Sequence, residues 1–385
     1  MDVQGDADAR PAIVMKVFFR ADASLQIGTG HIMRCLTLAD TLTAEGVECH
    51  FICRDHPGNL IDLVRRRGFQ VHVLPADADW VPSKGGLAHA AWLGSDWQTD
   101  AQQSECVLKD TQCDWLIVDH YALDSCWESA LQPYYKKLMV IDDLADRHHA
   151  CSLLLDQNWH GDKTPHRYNM LLPPNAVRLL GPQYALLRPE YAQLRSLMPP
   201  RDGLVRRVLV FMGGSDPTNQ TAKVLQALMH RDLSWIAVDV IVGTNHPDPS
   251  GLAALAEARS GTIIHTGLPS LAGLMARADL MISAGGSTTW ERLCLGLPCL
   301  VVSIADNQTA TQLALASSGF SRFIGEMERV TTESILEEMR WALHNQHELV
   351  KQSQSGQSLV ARSGATRVSA FIRDITYASA LSNGN

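Results

Sequence analysis

The sequence predicts an α/β protein of two similar units, each with a parallel sheet covered by helices on both faces. Short apolar runs alternate with helical patterns, as expected for parallel strands and their crossover helices. The alternation restarts after LMPPRDGLVRR at 197–207, where proline and glycine interrupt regular structure. The chain has 385 residues, 46% of them hydrophobic, which is enough for two cores. We therefore predict Rossmann-like domains at 15–199 and 200–385, facing each other across a crevice.

In the first half, the apolar run AIVMKVFFRAD predicts a buried strand that enters the loop ASLQIGTG. HIMRCLTLADTLTAEG has apolar residues at helical spacing and is closed by Gly46. VECHFIC predicts the next strand, and NLIDLVRRRGFQVHVLP repeats the order of helix, glycine and strand. CDWLIVDHY and KLMVIDDLA are two further strand-like runs that end in acidic residues. These elements predict a sheet buried on both faces.

The second half begins with the strand-like RRVLVFMGGSD, followed by a helical pattern in TNQTAKVLQALMH. Further strands are predicted in SWIAVDVIVG, GTIIHTG, ADLMISAGG and PCLVVSIAD. Helices are expected in LPSLAGLMARA and TTWERLCLG, and over most of the last sixty residues. We expect these last helices to pack back on the first domain.

Composition excludes several classes of function. The net charge of −8 and the lack of a long basic run argue against nucleic-acid binding. No apolar stretch approaches the roughly 20 residues that span a bilayer, and residues 1–14 have the composition of a disordered leader rather than a signal peptide. Nine irregularly spaced cysteines, with no CxxC pair, favour reduced thiols in the cytoplasm. We expect a cytoplasmic monomer.

The loop GTGHIMRC at 28–35 is the first candidate site. Gly28 and Gly30 allow the backbone to approach a ligand closely, and the helix that follows offers free N–H groups to an anion. His31 lies in the first turn, where the helix dipole disfavours a cationic imidazole and favours a neutral base. GTGH is not the GxGxxG of dinucleotide folds, so no NAD site is inferred. A tight turn with an exposed histidine would give the same local pattern.

Polar residues follow two later strands of the first half. Asp119, His120 and Tyr121 end one strand, where Asp119 could orient a histidine or accept sugar hydroxyls. An ordinary strand-end loop with a capping aspartate fits equally well. A second group contains Asp142, Asp143, Asp146, His148 and His149, but its spacing matches no metal motif. We therefore expect structural or substrate-contact roles for this group, and no metal and no cofactor.

Further candidates lie at the junction and in the second half. Arg188, in GPQYALLRPEY, could clamp a phosphate or carboxylate, or be a surface arginine before a proline-started helix. Two glycine turns could offer N–H groups to a diphosphate, and the glutamate of TTWE could accept hydrogen bonds from a ribose diol or only complement a helix dipole. These residues are Gly213, Gly214, Ser215, Gly285, Gly286, Ser287 and Glu291.

The block GGSTTWE…GLPCLVV…ADNQ resembles the nucleotide-sugar half of GT-B glycosyltransferases, in particular the MurG-like group. FFRADASLQIGTGHIMRCLTLA, IVDHY, DDLADRHH, LLLDQN, GPQYALLRPEY and MGGSD resemble, in the same order, the PseG family of pseudaminic acid biosynthesis. The resemblance runs from about residue 15 to about 325. It implies a hydrolase that cleaves UDP-2,4-diacetamido-2,4,6-trideoxy-β-L-altropyranose to free sugar and UDP.

Carried over by position, the resemblance implies that His31 is the general base and that Arg188 and Glu291 bind substrate. It also implies that Asn307 and Gln308 face the sugar or the diphosphate. His31 would take a proton from the attacking water, so activity is predicted to fall at acid pH as the imidazole is protonated. The same architecture serves glycosyl transfer to a hydroxyl acceptor. A hydrolase for a related UDP-diacetamido sugar is also compatible with these motifs, as is a non-catalytic protein that binds a nucleotide sugar.

Overall fold

A seven-stranded parallel sheet forms the centre of the first half, in a computed structural model that describes residues 15–77, 80–81 and 86–382. The predicted leader, residues 1–14, lies outside the described residues. The strands are β1 (Lys16–Ala21), β2 (Glu48–Arg54), β3 (Gln70–Leu74), β4 (Trp115–Asp119), β5 (Lys137–Ile141), β6 (Leu153–Asp156) and β7 (Val177–Leu180). The helices are α1 (Gly30–Ala44), α2 (Ile61–Arg66), α3 (Trp97–Leu108) and α4 (Ser125–Ala130).

A six-stranded parallel sheet forms the centre of the second half. Its strands are β8 (Arg207–Phe211), β9 (Ala237–Val242), β10 (Thr262–Thr266), β11 (Leu280–Ala284), β12 (Cys299–Ser303) and β13 (Arg322–Glu326). The helices that follow β7 are α5 (Pro189–Leu197), α6 (Gln220–Leu228), α7 (Pro249–Ala258), α8 (Ala272–Arg277), α9 (Thr288–Cys294), α10 (Asp306–Ser317), α11 (Thr332–His344), α12 (Gln346–Leu359) and α13 (Gly364–Ser382). The predicted fold of two Rossmann-like units is confirmed.

Both faces of each sheet are buried, which explains why the strands are continuous apolar runs. In β1, Val17 and Phe19 pack into one core layer, and Phe18 packs into the layer on the opposite face. In β11, Ile282 and Met281 divide in the same way between two layers. This alternation follows from the two-residue period of a strand. Helices therefore cover both sides of each sheet, as the sequence pattern predicts.

Strand order creates a crevice in each sheet at its carboxyl edge. The first sheet has the order β3-β2-β1-β4-β5-β6-β7, and the second has the order β10-β9-β8-β11-β12-β13. The direction of winding thus reverses between β1 and β4, and again between β8 and β11. Ligands of open α/β sheets bind at such reversal points. The loops that leave these four strands are those in which the sequence places GTGH, DHY, GGSD and GGSTT.

The chain crosses between the two units twice. Helix α5, which follows the first sheet, packs against α8 and α9 of the second half through the buried ring of Tyr191. Helix α13, at the other end, returns to α1 of the first half. Val368 and Ile372 of α13 are fully buried in the first core, and the indole of Trp115 donates a hydrogen bond to Thr376 Oγ1 at 2.8 Å. Each unit is thus completed by a helix from the far side of the junction.

Candidate active site between the two halves

A cavity of about 690 Å³ opens between the carboxyl edges of the two sheets. Both halves contribute to its lining, including the loops after β1, β4, β8 and β11. Most of the residues predicted from sequence to bind substrate are brought together here. The predicted residues that line the cavity are Gly28, Gly30, His31, Tyr121, Arg188, Gly213, Gly214, Ser215, Gly285, Gly286, Ser287, Glu291, Asn307 and Gln308.

The GTGH loop faces the second half across the cavity. Gly28 has a φ of 79°, and its N–H donates to the carbonyl of Ser24 at 2.9 Å, which closes a tight turn. Helix α1 begins at Gly30 without a side-chain cap, so the N–H groups of its first turn are free for a ligand. A Cβ on Gly30 would lie 3.7 Å from Ser287 Oγ. An anion bound at this turn would therefore also meet the second half.

His31 is held by a buried carboxylate. Its Nδ1 lies 2.5 Å from Asp119 Oδ1, at the end of β4, and only 7% of the residue is exposed. Because a carboxylate accepts hydrogen bonds, this contact places the proton on Nδ1 and leaves the lone pair on Nε2. The ring also packs edge-on against Tyr121, with centroids 4.7 Å apart. An imidazole oriented in this way can act as a general base.

Arg34, one turn further along α1, completes this cluster. It donates to both oxygens of Asp119, from Nε at 2.6 Å and from Nη2 at 2.7 Å. Burial opposes ionisation of Asp119, but the charge of Arg34 and the contact with His31 outweigh it and hold the pKa of the carboxyl below its ordinary value. Arg34 Nη1 also donates to Asp143 at 3.1 Å, and Tyr121 donates to the same carboxylate. The motifs GTGHIMRC and DDLADRHH contain Arg34 and Asp143, but the sequence assigns neither residue a defined role in the site.

Two predicted substrate-binding residues do not line the cavity. Asp119 is fully buried behind His31, which leaves it to orient the histidine and not to accept sugar hydroxyls. His120 is 3% exposed, and its Nδ1 accepts from the N–H of Ala122 at 3.1 Å. Its Nε2 lies 3.3 Å from Asp22, while burial lowers its pKa. Successive residues of β4 and its end point to opposite faces, so only part of the DHY motif can face the crevice.

The second half offers backbone donors at three turns. Gly213, with a φ of 90°, and Gly214 follow β8, and Gly285 and Gly286 follow β11. Helix α10 begins at Asp306 without a side-chain cap, and Asn307 of its first turn lines the cavity. Glycines and uncapped helix starts leave N–H groups free for phosphate oxygens. This arrangement can bind a diphosphate without a metal ion.

Glu291 and Arg188 are charged residues that line the cavity beside these turns. Burial raises the pKa of the Glu291 carboxyl to about 7, against the opposing charge of Arg188. Arg188 donates from Nη1 to the carbonyl of Pro269 at 2.8 Å, and its Nη2 lies 3.0 Å from Glu190 Oε1. Arg188 therefore reaches the cavity with part of its donor capacity already in use. A carboxyl whose pKa is raised by burial, such as that of Glu291, is common in binding sites.

Asp143 of the DDLADRHH segment lines the cavity, whereas Asp142 and His149 have internal roles. Asp142 accepts from the N–H of Ala145 at 3.0 Å and from Tyr168 at 2.9 Å, and it pairs with Arg147 at 2.8 Å. His149 pairs with Glu128 at 2.6 Å. Across residues 15–77, 80–81 and 86–382, no group of three His, Cys, Asp or Glu side chains could hold a metal ion. All nine cysteines carry free thiols, and seven of them are buried.

Several known proteins are similar to this chain in sequence or in fold. No family model matches the chain. The spore coat polysaccharide biosynthesis protein SpsG of Bacillus subtilis is 30% identical over 196 residues, which are 51% of this chain and 58% of that protein. The UDP-2,4-diacetamido-2,4,6-trideoxy-beta-L-altropyranose hydrolase of Campylobacter jejuni is 24% identical over 309 residues, which are 80% of this chain and 98% of that protein. The chain spans just over half the length of the first two curated relatives that it matches, 58% and 55%.

Among solved structures, MurG of Acinetobacter baumannii superposes with a TM-score of 0.62 at 15% identity, covering 94% of this chain and 99% of that one. The fold is therefore that of the GT-B glycosyltransferases such as MurG. The similarity to the Campylobacter jejuni hydrolase over most of both chains confirms the resemblance to the PseG family that the sequence motifs indicate. No helix of the described ranges is long and apolar enough to cross a membrane.

Proposed function

We propose that this protein hydrolyses a UDP-activated 2,4-diacetamido-2,4,6-trideoxy hexose to free sugar and UDP. The observation that carries the proposal is the His31–Asp119 pair, which presents an oriented imidazole at one side of a cavity whose other side has glycine turns and an uncapped helix start. The relationship to a hydrolase of this substrate class supports the choice of reaction. The reaction is a step of pseudaminic acid biosynthesis.

In the proposed step, a water molecule lies against Nε2 of His31. Nε2 takes one proton from the water as the water oxygen forms a bond to the anomeric carbon. The bond between that carbon and the phosphate oxygen breaks, and UDP leaves with the electron pair. Asp119 balances the charge of the imidazolium through the 2.5 Å contact at Nδ1. General-base assistance of this kind contributes about 10²–10⁴-fold to a rate.

The second half is assigned to the leaving group. The turns at Gly213–Gly214 and Gly285–Gly286 and the start of α10 would donate N–H groups to the diphosphate oxygens. Glu291 would accept hydrogen bonds from the ribose diol, and Arg188 would add a positive charge. Asn307 and Gln308 would face the sugar or the diphosphate. Preorganised donors stabilise the charge that develops on the leaving group.

The test is to incubate the purified protein with the UDP-diacetamido-trideoxy-altrose without an acceptor, and to follow UDP and free sugar by NMR. We expect stoichiometric UDP and sugar from the wild type. His31→Asn should lose at least about 10²-fold in rate while retaining UDP binding. His347→Asn, at a histidine whose side chain is 77% exposed, is the matched control and should keep full activity. Substrate binding with no release of UDP would overturn the proposal.

Glycosyl transfer is the second candidate, because glycosyltransferases share this fold. A hydroxyl acceptor would replace water in the same position against His31. The two reactions differ in one measurable property, since a transferase releases UDP at a rate that depends on the acceptor. Release of UDP that is slow alone and accelerates with an added acceptor would favour transfer.

The proposed reaction also has consequences for the oligomeric state and the location of the protein. We propose that a single chain, with units at 15–199 and 200–385, forms the complete site, because both sides of the cavity come from one copy. A cytoplasmic location suits its free and mostly buried thiols. It also suits a soluble sugar nucleotide as the only partner that the proposed reaction requires.

A further inference from the structure

One side of the cavity next to His31 is aromatic. The indole of Trp92 stacks on the ring of Tyr121, with centroids 5.5 Å apart and an angle of 28° between the planes. Both rings line the cavity, and both approach His31, at 6.4 Å for Trp92 and 4.7 Å for Tyr121. We call Trp92 and Tyr121 the aromatic wall. The motifs identified from sequence include only one of its two members.

The backbone anchors Trp92 firmly. Trp92 belongs to a short 3-10 helix, Ala90–Leu93, whose last residue is 2% exposed in the core beneath β4. Gly94 follows with a φ of 67°, and a Cβ there would lie only 2.6 Å from Cε1 of His56. The ring of His89 packs on the indole from outside the cavity lining, at 4.4 Å. Trp92 is therefore positioned before any ligand arrives.

Apolar side chains of the first half also line the cavity. Leu25, Ile27 and Met33 line the same half of the cavity, and Leu25 is 55% exposed. A hydroxyl pressed against such a surface loses its water without gaining a partner, whereas a methyl group gains from leaving water. Polar lining in this half comes in part from Gln157 and Asn158, whose amide groups suit the acetamido substituents. The wall suits a substituent that has no polar atoms.

We propose that Trp92 is a specificity-determining residue that selects sugars with a methyl group at C6 over sugars with a hydroxymethyl group. The inference rests on the proposed function, which places the sugar next to His31. The 6-methyl is the one ring substituent of the proposed substrate that has no polar atom, and the indole of Trp92 offers an apolar ring face near His31. Discrimination at one carbon position in an apolar pocket is worth about 10–200-fold.

The experiment uses two ligands, the UDP-2,4-diacetamido-2,4,6-trideoxy-altrose and its counterpart with a hydroxyl at C6. Their dissociation constants are measured by calorimetry on the His31→Asn protein, so that turnover does not interfere, with and without Trp92→Ala. When Trp92 is present, we expect the 6-deoxy sugar to bind at least about 10-fold more tightly than its counterpart with a hydroxyl at C6. The ratio should fall below about 3-fold in Trp92→Ala, and Trp92→Phe should restore most of it because the ring is retained.

Two controls separate this role from a structural one. The affinity for UDP alone should be unchanged in Trp92→Ala, because UDP leaves the sugar subsite empty. Trp97→Ala removes a tryptophan of the same half that is 37% exposed and does not line the cavity, and it should leave the ratio at its wild-type value. The inference is overturned if the ratio of the two dissociation constants is the same with and without Trp92. It is also overturned if Trp92→Ala weakens the binding of UDP as much as the binding of the 6-deoxy sugar.

The outcome is independent of catalysis. If the wild type releases no UDP but the Trp92-dependent ratio is found, the hydrolase proposal fails and the specificity inference stands. If the wild type hydrolyses the substrate but the ratio of the two dissociation constants is the same with and without Trp92, the hydrolase proposal stands and the specificity inference fails.

Discussion

At the scale of single residues, the site depends on a carboxylate that keeps its charge. Asp119 is fully buried, and an isolated buried carboxylate would take up a proton. Arg34 prevents this with two hydrogen bonds, so Asp119 stays ionised and keeps the Nδ1 proton of His31 in place. Orientation of His31 is therefore a property of three side chains, of which only the histidine would contact the reacting water.

Replacing Asp119 with Asn should lower kcat by at least about 10²-fold, because the amide can donate to Nδ1 and favours the wrong tautomer of His31. The measurement is UDP release under saturating substrate, together with a thermal melt, since Arg34 loses its buried partner. The double variant His31→Asn/Asp119→Asn should be no slower than His31→Asn alone, because residues that act as one unit are not additive. If the double variant lost activity by the product of the two single losses, His31 and Asp119 would not act as one unit.

Glu291 gives the site a second pH dependence. Its carboxyl, with a pKa of about 7, is mostly protonated below neutrality and then has fewer acceptor positions for a ribose diol. We expect the affinity for UDP to increase from pH 6 to pH 8 in the wild type. Glu291→Gln should bind UDP more weakly at pH 8 and lose this dependence. Calorimetry at the two pH values measures both effects.

The same carboxyl provides a check that needs no ligand. Its pKa is raised in the fold, so the folded state binds more protons than the unfolded chain between the ordinary glutamate range and pH 7. The contribution of Glu291 to stability therefore falls as pH rises through that window. Relative to the wild type, Glu291→Gln should gain in Tm between pH 5 and pH 8. A constant difference across that range would contradict the raised pKa.

At the scale of elements, the glycine turns differ in how much space they have. A Cβ on Gly285 would lie 2.5 Å from Cγ of Gln312, a side chain that donates to the Gly285 carbonyl at 3.0 Å. A Cβ on Gly286 would meet nothing closer than 4.0 Å. The turn after β11 is thus pressed against α10 at one glycine and open toward the cavity at the next.

Gly285→Ala should therefore destabilise the ligand-free protein by about 1–3 kcal/mol, because Gln312 must leave its position. Gly286→Ala is the matched control and should lie within about 0.5 kcal/mol of the wild type. Urea unfolding without ligand measures both. Equal losses at the two positions would show that Gln312 does not restrict this turn.

Much of this arrangement was predictable from the sequence. Because the carboxyl ends of parallel strands lie at the same edge of a sheet, the sequence predicted that the GTGH loop and the DHY motif lie at one edge of the first sheet. It also offered the alternative that Asp119 orients a histidine. The pairings with Arg34 and Asp143 depend on strand order, which joins residues 85 and 109 positions apart, and local patterns do not show them. Trp92 lies in a segment without helical or strand periodicity, so the aromatic wall had no local signal. The burial of His120 follows from the direction of one side chain.

At the scale of the whole molecule, α13 ties the end of the described chain to the first core. Thr376 accepts the hydrogen bond of the Trp115 indole, which is fully buried in the middle of the sheet. A buried donor without a partner costs about 1–3 kcal/mol. The helix that follows the second half therefore contributes to the stability of the first.

Thr376→Val removes the acceptor and retains the shape of the side chain, so it should destabilise the protein by about 1–3 kcal/mol. Tyr377→Phe changes the next residue, which is 67% exposed, and should have no measurable effect. Thermal unfolding followed by the fluorescence of Trp115 and the other tryptophans records the change. Unaltered stability in Thr376→Val would mean that the indole finds another acceptor.

The return of α13 also determines how the molecule would bear a mechanical load. Met15 and Thr376 come into contact, with Sδ and Oγ1 3.7 Å apart, although 361 positions separate them in the chain. Handles attached at these two positions would pull on β1 and α13 alone, both of which pack in the core of the first half. The second half lies inside the loop that they close, and tension would reach it only after α13 had peeled away from α1. The part of the cavity that the second half lines is in this sense shielded from force applied at those two points.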